Sequence, residues 1–275
     1  HYPVPYTRTM GDVDFYVPAP DFDRAVEVIE RELHVEIEKE DIDKHYSFDY
    51  QGIRFEMHYQ IETFGNGRHQ RCFNRMIDGS IASGADSFSI ADSKAENNGV
   101  DVSVLSPTED LIVVFKHWFN HLLVEGVGLR QTVDLAVLLM AYRDKMDVAL
   151  LMKTLNEIGY IKAFRAMLAM MHKYFSLSGM EDFCALKKQD GRYAEKLMAV
   201  VMESGNFGRK AYKNHIAGKK KSVETATRAL RHCARFFWLA PKDILFLIPR
   251  RIGITMKPLL RATFGCFPLP IRRGE

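Results

Sequence analysis

The chain has 275 residues, 47% hydrophobic and 27% charged, which is enough for one large domain or two modest ones with a real core. Its net charge of +3 is too mild to argue for nucleic acid, and the four cysteines, Cys72, Cys184, Cys233 and Cys266, form no CxxC pair, which excludes a zinc knuckle and fits free thiols in a reducing compartment. The longest apolar stretch, Phe236 to Ile248, is interrupted by Pro241, Lys242 and Asp243 and falls short of the roughly 20 residues a bilayer span needs, so no transmembrane segment is expected. With no secretory signal peptide opening the chain, the expected location is cytoplasmic, with a membrane-peripheral position as the variant.

Residues 1 to about 104 mix strand and helix signals. From Asp12 to Val17 polar and apolar side chains alternate, and the run stops at Pro18 and Pro20, which reads as a strand with a breaker behind it. From Asp21 the period changes: Phe22, Ala25, Val26, Ile29 and Leu33 recur at helical spacing, with Asp21 and Asp23 placed where carboxylates favour a helix start. Short alternating runs follow at 35–38, 45–50 and 53–59, and Gln51 with Gly52 suits a tight hairpin turn between the last two. Residues 60–104, punctuated by Gly65, Asn66, Gly67, Gly79, Gly84 and Asn97 to Gly99, read as long loops with one or two short elements.

The remainder reads as almost wholly helical. Ser106, Pro107 and Glu109 form a strong helix start, and that helix is expected to run to about Val124 and end at Gly126. Apolar residues at i, i+3 and i+4 predict further helices at 129–143, 147–158, 160–175, 191–203 and 222–238. The fold class is therefore α+β: an N-terminal domain over 1–104 built on a small mixed sheet, and a helical domain over 105–275.

The strongest chemical signal is Asp12 and Asp14. Alternation on a strand turns both carboxylates to one side, where they repel, and a divalent cation relieves the repulsion. A bare D-x-D is more often two solvated aspartates around a buried valine. A second carboxylate changes that balance: Glu56 and His58 share one face of a later strand, with Phe55 and Met57 on the other. A third carboxylate on a neighbouring strand would complete a site that clamps the attacking and leaving oxygens of a phosphoryl displacement. The plainer reading is a polar face on an edge strand.

The ordered series Tyr2 and Pro3, Arg8, then Gly11 to Val17 with its D-V-D core resembles an uncharacterised bacterial nucleotidyltransferase family of the DNA polymerase beta-like superfamily. The matching pattern continues with a helix over Ala25 to Leu33, a histidine before a strand (His45), a glutamate two residues before a histidine (Glu56, His58), paired histidines on a helix (His117, His121) and a Gly128, Leu129, Arg130 segment leading to Asp134. The resemblance covers residues 1–140 best, and beyond it only Gly205 to Gly208 matches locally. It implies a nucleotidyltransferase palm. By the resemblance, Asp12, Asp14 and Glu56 would be its metal-binding and catalytic carboxylates, and Arg8, His58, His117 and Arg130 would stand on the nucleotide side. On this resemblance Mg2+ or Mn2+ would be the cofactor, and a nucleoside triphosphate the substrate whose α-phosphate is attacked by an unidentified acceptor hydroxyl. The resemblance further implies a glycine-containing segment upstream of the D-x-D, so the N-terminal segment of the palm is expected to be missing from this chain. An inactive nucleotidyltransferase fold serving as a binding module is the alternative. Neither the base nor the acceptor is named by any residue.

Weaker signals remain open. The pair His117 and His121 lacks the central glutamate of a zinc-binding H-E-x-x-H motif, since Trp118 stands there, and reads as hydrogen-bonded histidines at a domain junction or in the nucleotide cleft. Arg130 and Asp134, four apart, form a surface ion pair or a buried tie. Arg209, Lys210, Lys213, Lys219 to Lys221, Arg228, Arg231, Arg235, Arg250 and Arg251 interleave with Phe236 to Trp238 over residues 209–251. This is a solvated face or a contact for an anionic surface or polyanion, which is the third functional reading.

Overall fold

The structure, a computed structural model, describes residues 2, 4, 8, 11–39, 45–82, 87–90, 100–124, 126–204 and 219–248. It is a mixed α+β protein. The elements run β1 (Asp12–Tyr16), α1 (Phe22–Leu33), β2 (Glu38–Lys39), β3 (His45–Tyr50), β4 (Ile53–His58), α2 (Gly67–Ala82), β5 (Ser87–Ile90), β6 (Val100–Ser103), then α3 (Pro107–Val124), α4 (Leu129–Tyr142), α5 (Val148–Glu157), α6 (Ile161–Phe175), α7 (Lys188–Ser204) and α8 (Lys219–Phe236). Residues 241–248 are also helical. No helix among the described residues is long and apolar enough to cross a membrane. The chain forms two compact units: His1–Phe64, Gln70–His117 and Asp134–Leu151 make the first, and Gly65–His69, Trp118–Val133 and Met152–Glu275 the second.

In the first unit four strands form a sheet in the order β1-β4-β3-β2, with β1 parallel to β4 and the other pairs antiparallel. The β3–β4 hairpin turns through Gln51 (φ 51°) and Gly52 (φ 77°), the left-handed pair that a two-residue turn matching strand twist demands. β5 and β6 pair antiparallel as a separate ribbon. Alternation separates the sheet's two faces. Phe15, Val17, Tyr46, Phe48, Tyr50, Phe55 and Met57 join one apolar cluster with Phe22, Val26, Ile29 and Leu33 of α1. Phe48 stacks on Phe55 with ring centroids 5.2 Å apart, and Phe22 meets Tyr46 edge-on at 5.1 Å. Each fully buried side chain of this kind contributes about 1.5–3 kcal/mol, so α1 is held by its apolar stripe and not by helix propensity. Every charged residue of β1 and β4 is left on the opposite face.

One expectation fails here. Residues 67–82, in a region expected to be long loops with one or two short elements, form the 16-residue helix α2. The glycines and asparagine that suggested a loop are its start. The side-chain oxygen of Asn66 accepts from the backbone N–H of Arg68 at 2.9 Å and of His69 at 3.4 Å, which is an N-cap. Phe73 and Ile77, four apart, are its buried stripe, and Gly79 sits where no neighbour lies within 4 Å of a Cβ.

The second unit is helical. α6 buries eight of its residues, among them Phe164, Met167, Met170 and Met171, and packs on α7. The methionines are therefore core filler. Phe119 meets Tyr160 edge-on at 5.6 Å. Gly126 ends α3 with φ +85°, its N–H bonding the carbonyl of His121 at 2.8 Å, and a Cβ there would overlap the Ser204 side chain. His69 and Asp243, both nearly inaccessible, pair at 3.1 Å, and Asp243 also accepts from the Asn66 N–H at 3.0 Å. Gly205 to Gly208, Arg209, Lys210, Lys213, Arg250 and Arg251 lie outside the described residues, as do the side chains of Lys219 to Lys221.

Candidate functional site

The polar face of the sheet collects the chemistry. Because β1 lies parallel to β4, the register sets Asp12 beside Arg54, Asp14 beside Glu56 and Tyr16 beside His58. On the other side of β4, the antiparallel register sets Ser47 against Glu56 and His45 against His58. Asp12, Asp14, Glu56, His58, His45 and Ser47 thus occupy neighbouring positions on one face of three adjacent strands. The alternation puts each pair on a face; the strand pairing brings the pairs together.

The contacts are close. His58 Nε2 lies 2.7 Å from Asp14 Oδ1 and 3.8 Å from Glu56 Oε2, and His45 Nε2 lies 3.5 Å from the same Glu56 oxygen. The histidine rings tilt against each other with centroids 4.8 Å apart. His58 is buried and Glu56 half-buried, while Asp12 and Asp14 are exposed, so the cluster grades from a sheltered to an open side. Burial, first, and the charges of Asp14 and then Asp12 push the Glu56 carboxyl up to about 7. Beside the cluster, burial and the carboxylate of Asp78 on α2 raise the Tyr16 phenol.

That shift has a sign that can be tested in metal-free buffer. A carboxyl whose folded pKa lies above its ordinary 4.5 is held as the acid by the fold. Its contribution is fully present below 4.5, falls as the pH climbs and the unfolded chain ionises first, and is gone above about 7. Glu56→Gln keeps the shape and removes the ionisation. It is expected to raise stability above neutrality by about 1 kcal/mol, discounted for the water reaching a half-buried group, and to be neutral in acid. Thermal melts of both proteins at pH 4 and pH 8 check this, and an equal difference at both would refute it.

Asp134 on α4 accepts two-pronged from Arg8, at 2.8 and 2.7 Å, and from the Tyr2 hydroxyl at 2.6 Å. The ion pair that holds Asp134 therefore comes from a residue 126 positions away. The bond to Asp134 raises the Arg8 pKa further, and the charge of Asp12 adds to it. His117 Nδ1 lies 3.0 Å from Oε1 of the buried Glu62, in the segment after β4. Arg130 is exposed and lies in the second compact unit. Arg54 bridges Glu38 and Asp49 along the sheet. Two members of the polar face, His45 and Ser47, were not selected as site residues. Their signal was the alternation of His45, Ser47 and Asp49 against the apolar Tyr46, Phe48 and Tyr50.

Compared with known protein families, residues 1–176 match the model of a family described as uncharacterised nucleotidyltransferase. The chain belongs to that nucleotidyltransferase family. No curated protein and no solved structure matches it.

Nucleotidyl transfer calls for a divalent cation, and the donor set on this face would suit one. Three carboxylates share one face, and burial together with the charges of Asp14 and Asp12 pushes the Glu56 carboxyl up to about 7. A divalent cation relieves that repulsion, with oxygen donors suited to Mg2+ or Mn2+.

Proposed function

We propose that the chain transfers a nucleoside monophosphate group from a nucleoside triphosphate to an acceptor hydroxyl, with release of pyrophosphate. The observation that carries this reading is the pairing of Asp14 with Glu56 on adjacent parallel strands, with Asp12 on the same face, in a chain of this family. Asp12 and Asp14, on the open side, hold Mg2+ or Mn2+. The ion, when bound, neutralises charge on the transferring phosphoryl group and aligns the attacking and leaving oxygens.

The chain's own residues do the rest. Glu56 orients the acceptor hydroxyl and accepts its proton. His58, donating to Asp14 at 2.7 Å, fixes the direction of that carboxylate. Arg8, held by Asp134, supplies positive charge to the triphosphate beside Asp12.

Thermal denaturation with each nucleoside triphosphate, with and without Mg2+, tests the reading. A ligand at about 100 times its dissociation constant stabilises by about 2.7 kcal/mol. The expected result is a magnesium-dependent shift that disappears in the Asp12→Asn/Asp14→Asn double variant. If no triphosphate shifts the wild type, the transferase reading is lost.

A further inference from the structure

The sheltered end of the polar face holds more than a magnesium site needs. Magnesium takes oxygen ligands and keeps several waters, and it gains nothing from imidazole. Yet two imidazoles stand at the most buried corner of the cluster, on β3 and β4, with Glu56 between them. The side chains of His45, Glu56 and His58 are 14%, 23% and 7% exposed.

The spacing has the dimensions of a coordination shell. One ligand atom from each of the three residues lies within 4.8 Å of the other two. The His45 and His58 Nε2 atoms lie 3.5 and 3.8 Å from the same Glu56 oxygen. Ligands at about 2.0–2.1 Å from a tetrahedral ion are separated by about 3.3–3.4 Å. The two separations to Glu56 are within a few tenths of an ångström of that, and the pair of imidazole nitrogens, within 4.8 Å of each other, closes by a side-chain rotation. The 2.7 Å between His58 Nε2 and Asp14 is by contrast a hydrogen bond, too short for two atoms sharing one ion.

A second observation points the same way. Two buried polar atoms on this face have no hydrogen-bond partner among the described residues: Ser47 Oγ and His58 Nδ1. Ser47 is 1% exposed and lies directly opposite Glu56 in the register. A buried hydroxyl beside a carboxylate and two imidazoles, with its own bonding incomplete, is an unsettled polar cluster that a bound ion and its water would complete.

We propose that His45, Glu56 and His58 form a binding site for a single first-row transition cation of the imidazole-preferring kind, beside the paired aspartates. Zn2+ is its high-affinity probe and Co2+ its spectroscopic one. On binding, His58 Nε2 gives up its proton to solvent and its lone pair to the ion. The Asp14 carboxylate, released from that hydrogen bond, is then available to the ion as a fourth donor, its second oxygen. The site deepens the transferase reading and rests on it only for what the ion does once bound. Glu56 would be shared, so the face discriminates between cations by whether imidazole or carboxylate donors dominate.

The test is a titration of tag-free, chelator-stripped protein with CoCl2, in the absence of any nucleotide, followed by visible absorption. One equivalent of Co2+ is expected to develop ligand-field bands of a low-coordinate imidazole complex, which Zn2+ abolishes and excess Mg2+ leaves intact. His45→Gln and His58→Gln are each expected to weaken binding at least about tenfold, as loss of supporting groups alone does at metal sites. Asp12→Asn leaves it nearly unchanged. Should the buried His58→Gln fail a far-ultraviolet circular dichroism check, the more exposed His45→Gln decides the question. Absence of the bands, or bands lost in Asp12→Asn and kept in His45→Gln, overturns the site. The two readings fail separately. A cobalt site with no triphosphate-dependent thermal shift removes the transferase reading alone. A magnesium-dependent triphosphate shift with no cobalt site removes this one alone.

Discussion

Asp14→Asn is expected to lower pyrophosphate release from the preferred triphosphate by about 10³-fold, and Asp12→Asn by a similar factor, with little change in thermal stability. The two effects separate for a structural reason. Asparagine keeps a carbonyl oxygen in the position that accepts from His58 Nε2 at 2.7 Å, and the β1–β4 ladder at this position is a backbone pairing that does not involve the side chain. Only the charge is lost. A charge holding a cation against a transferring phosphoryl group supplies about 4 kcal/mol of barrier lowering, which is about three decades in rate. The measurement is pyrophosphate release in Mg2+, with fractionated extract supplying the acceptor, beside melts of the same preparations. A variant as active as the wild type sinks the assignment of Asp12 and Asp14. A wild type that binds triphosphate and never turns it over leaves a binding module.

The largest expected loss of stability lies in the second unit. Asp190 is 2% exposed and accepts from Arg165 Nε at 3.1 Å, from a terminal Arg165 nitrogen at 3.2 Å and from the Lys187 backbone N–H at 2.7 Å. One carboxylate therefore neutralises a buried guanidinium and satisfies an orphan donor at the start of α7. Asp190→Ala leaves an 11%-exposed arginine without that partner and is expected to cost about 3 kcal/mol. Arg165→Met/Asp190→Leu, which removes both charges and keeps apolar volume, is expected to recover most of the loss. Urea denaturation of the three proteins checks this. A loss under about 1 kcal/mol for Asp190→Ala would show the pair to be better hydrated than its burial indicates.

How much could be read from the chain beforehand depended on whether the signal was local. The helix starting at Ser106 and Pro107, the stripe of α1 and the Gln51–Gly52 turn each follow from residues within a few positions of one another, and each appears where expected. α2 was lost to the same kind of reasoning. Asn66 between two glycines is common to loops and to helix caps, and only the two N–H groups converging on its oxygen decide which it is. The Arg130–Asp134 spacing suggested a local pair, whereas the partners seen at Asp134 are Arg8 and Tyr2. Spacing on a helix shows which residues can meet; it does not rank a distant guanidinium that arrives in a better geometry.

The sequence by itself determined the faces. With a period of two, Asp12 and Asp14 share one side of β1, and Glu56 and His58 share one side of β4, because the apolar residues alternating with them, Phe15 on β1 and Phe55 and Met57 on β4, reach the same core. The tertiary structure alone decided which faces meet and in what register. Asp14 stands beside Glu56 because β1 joins β4 in parallel across some forty intervening residues, and His45 joins them because β3 pairs on β4's other edge. Strand pairing is a long-range outcome, driven by burying Phe15, Phe48, Phe55 and Met57 against α1, and no local pattern of polar residues encodes it. The carboxylates and imidazoles are carried to their places by the apolar residues alternating with them.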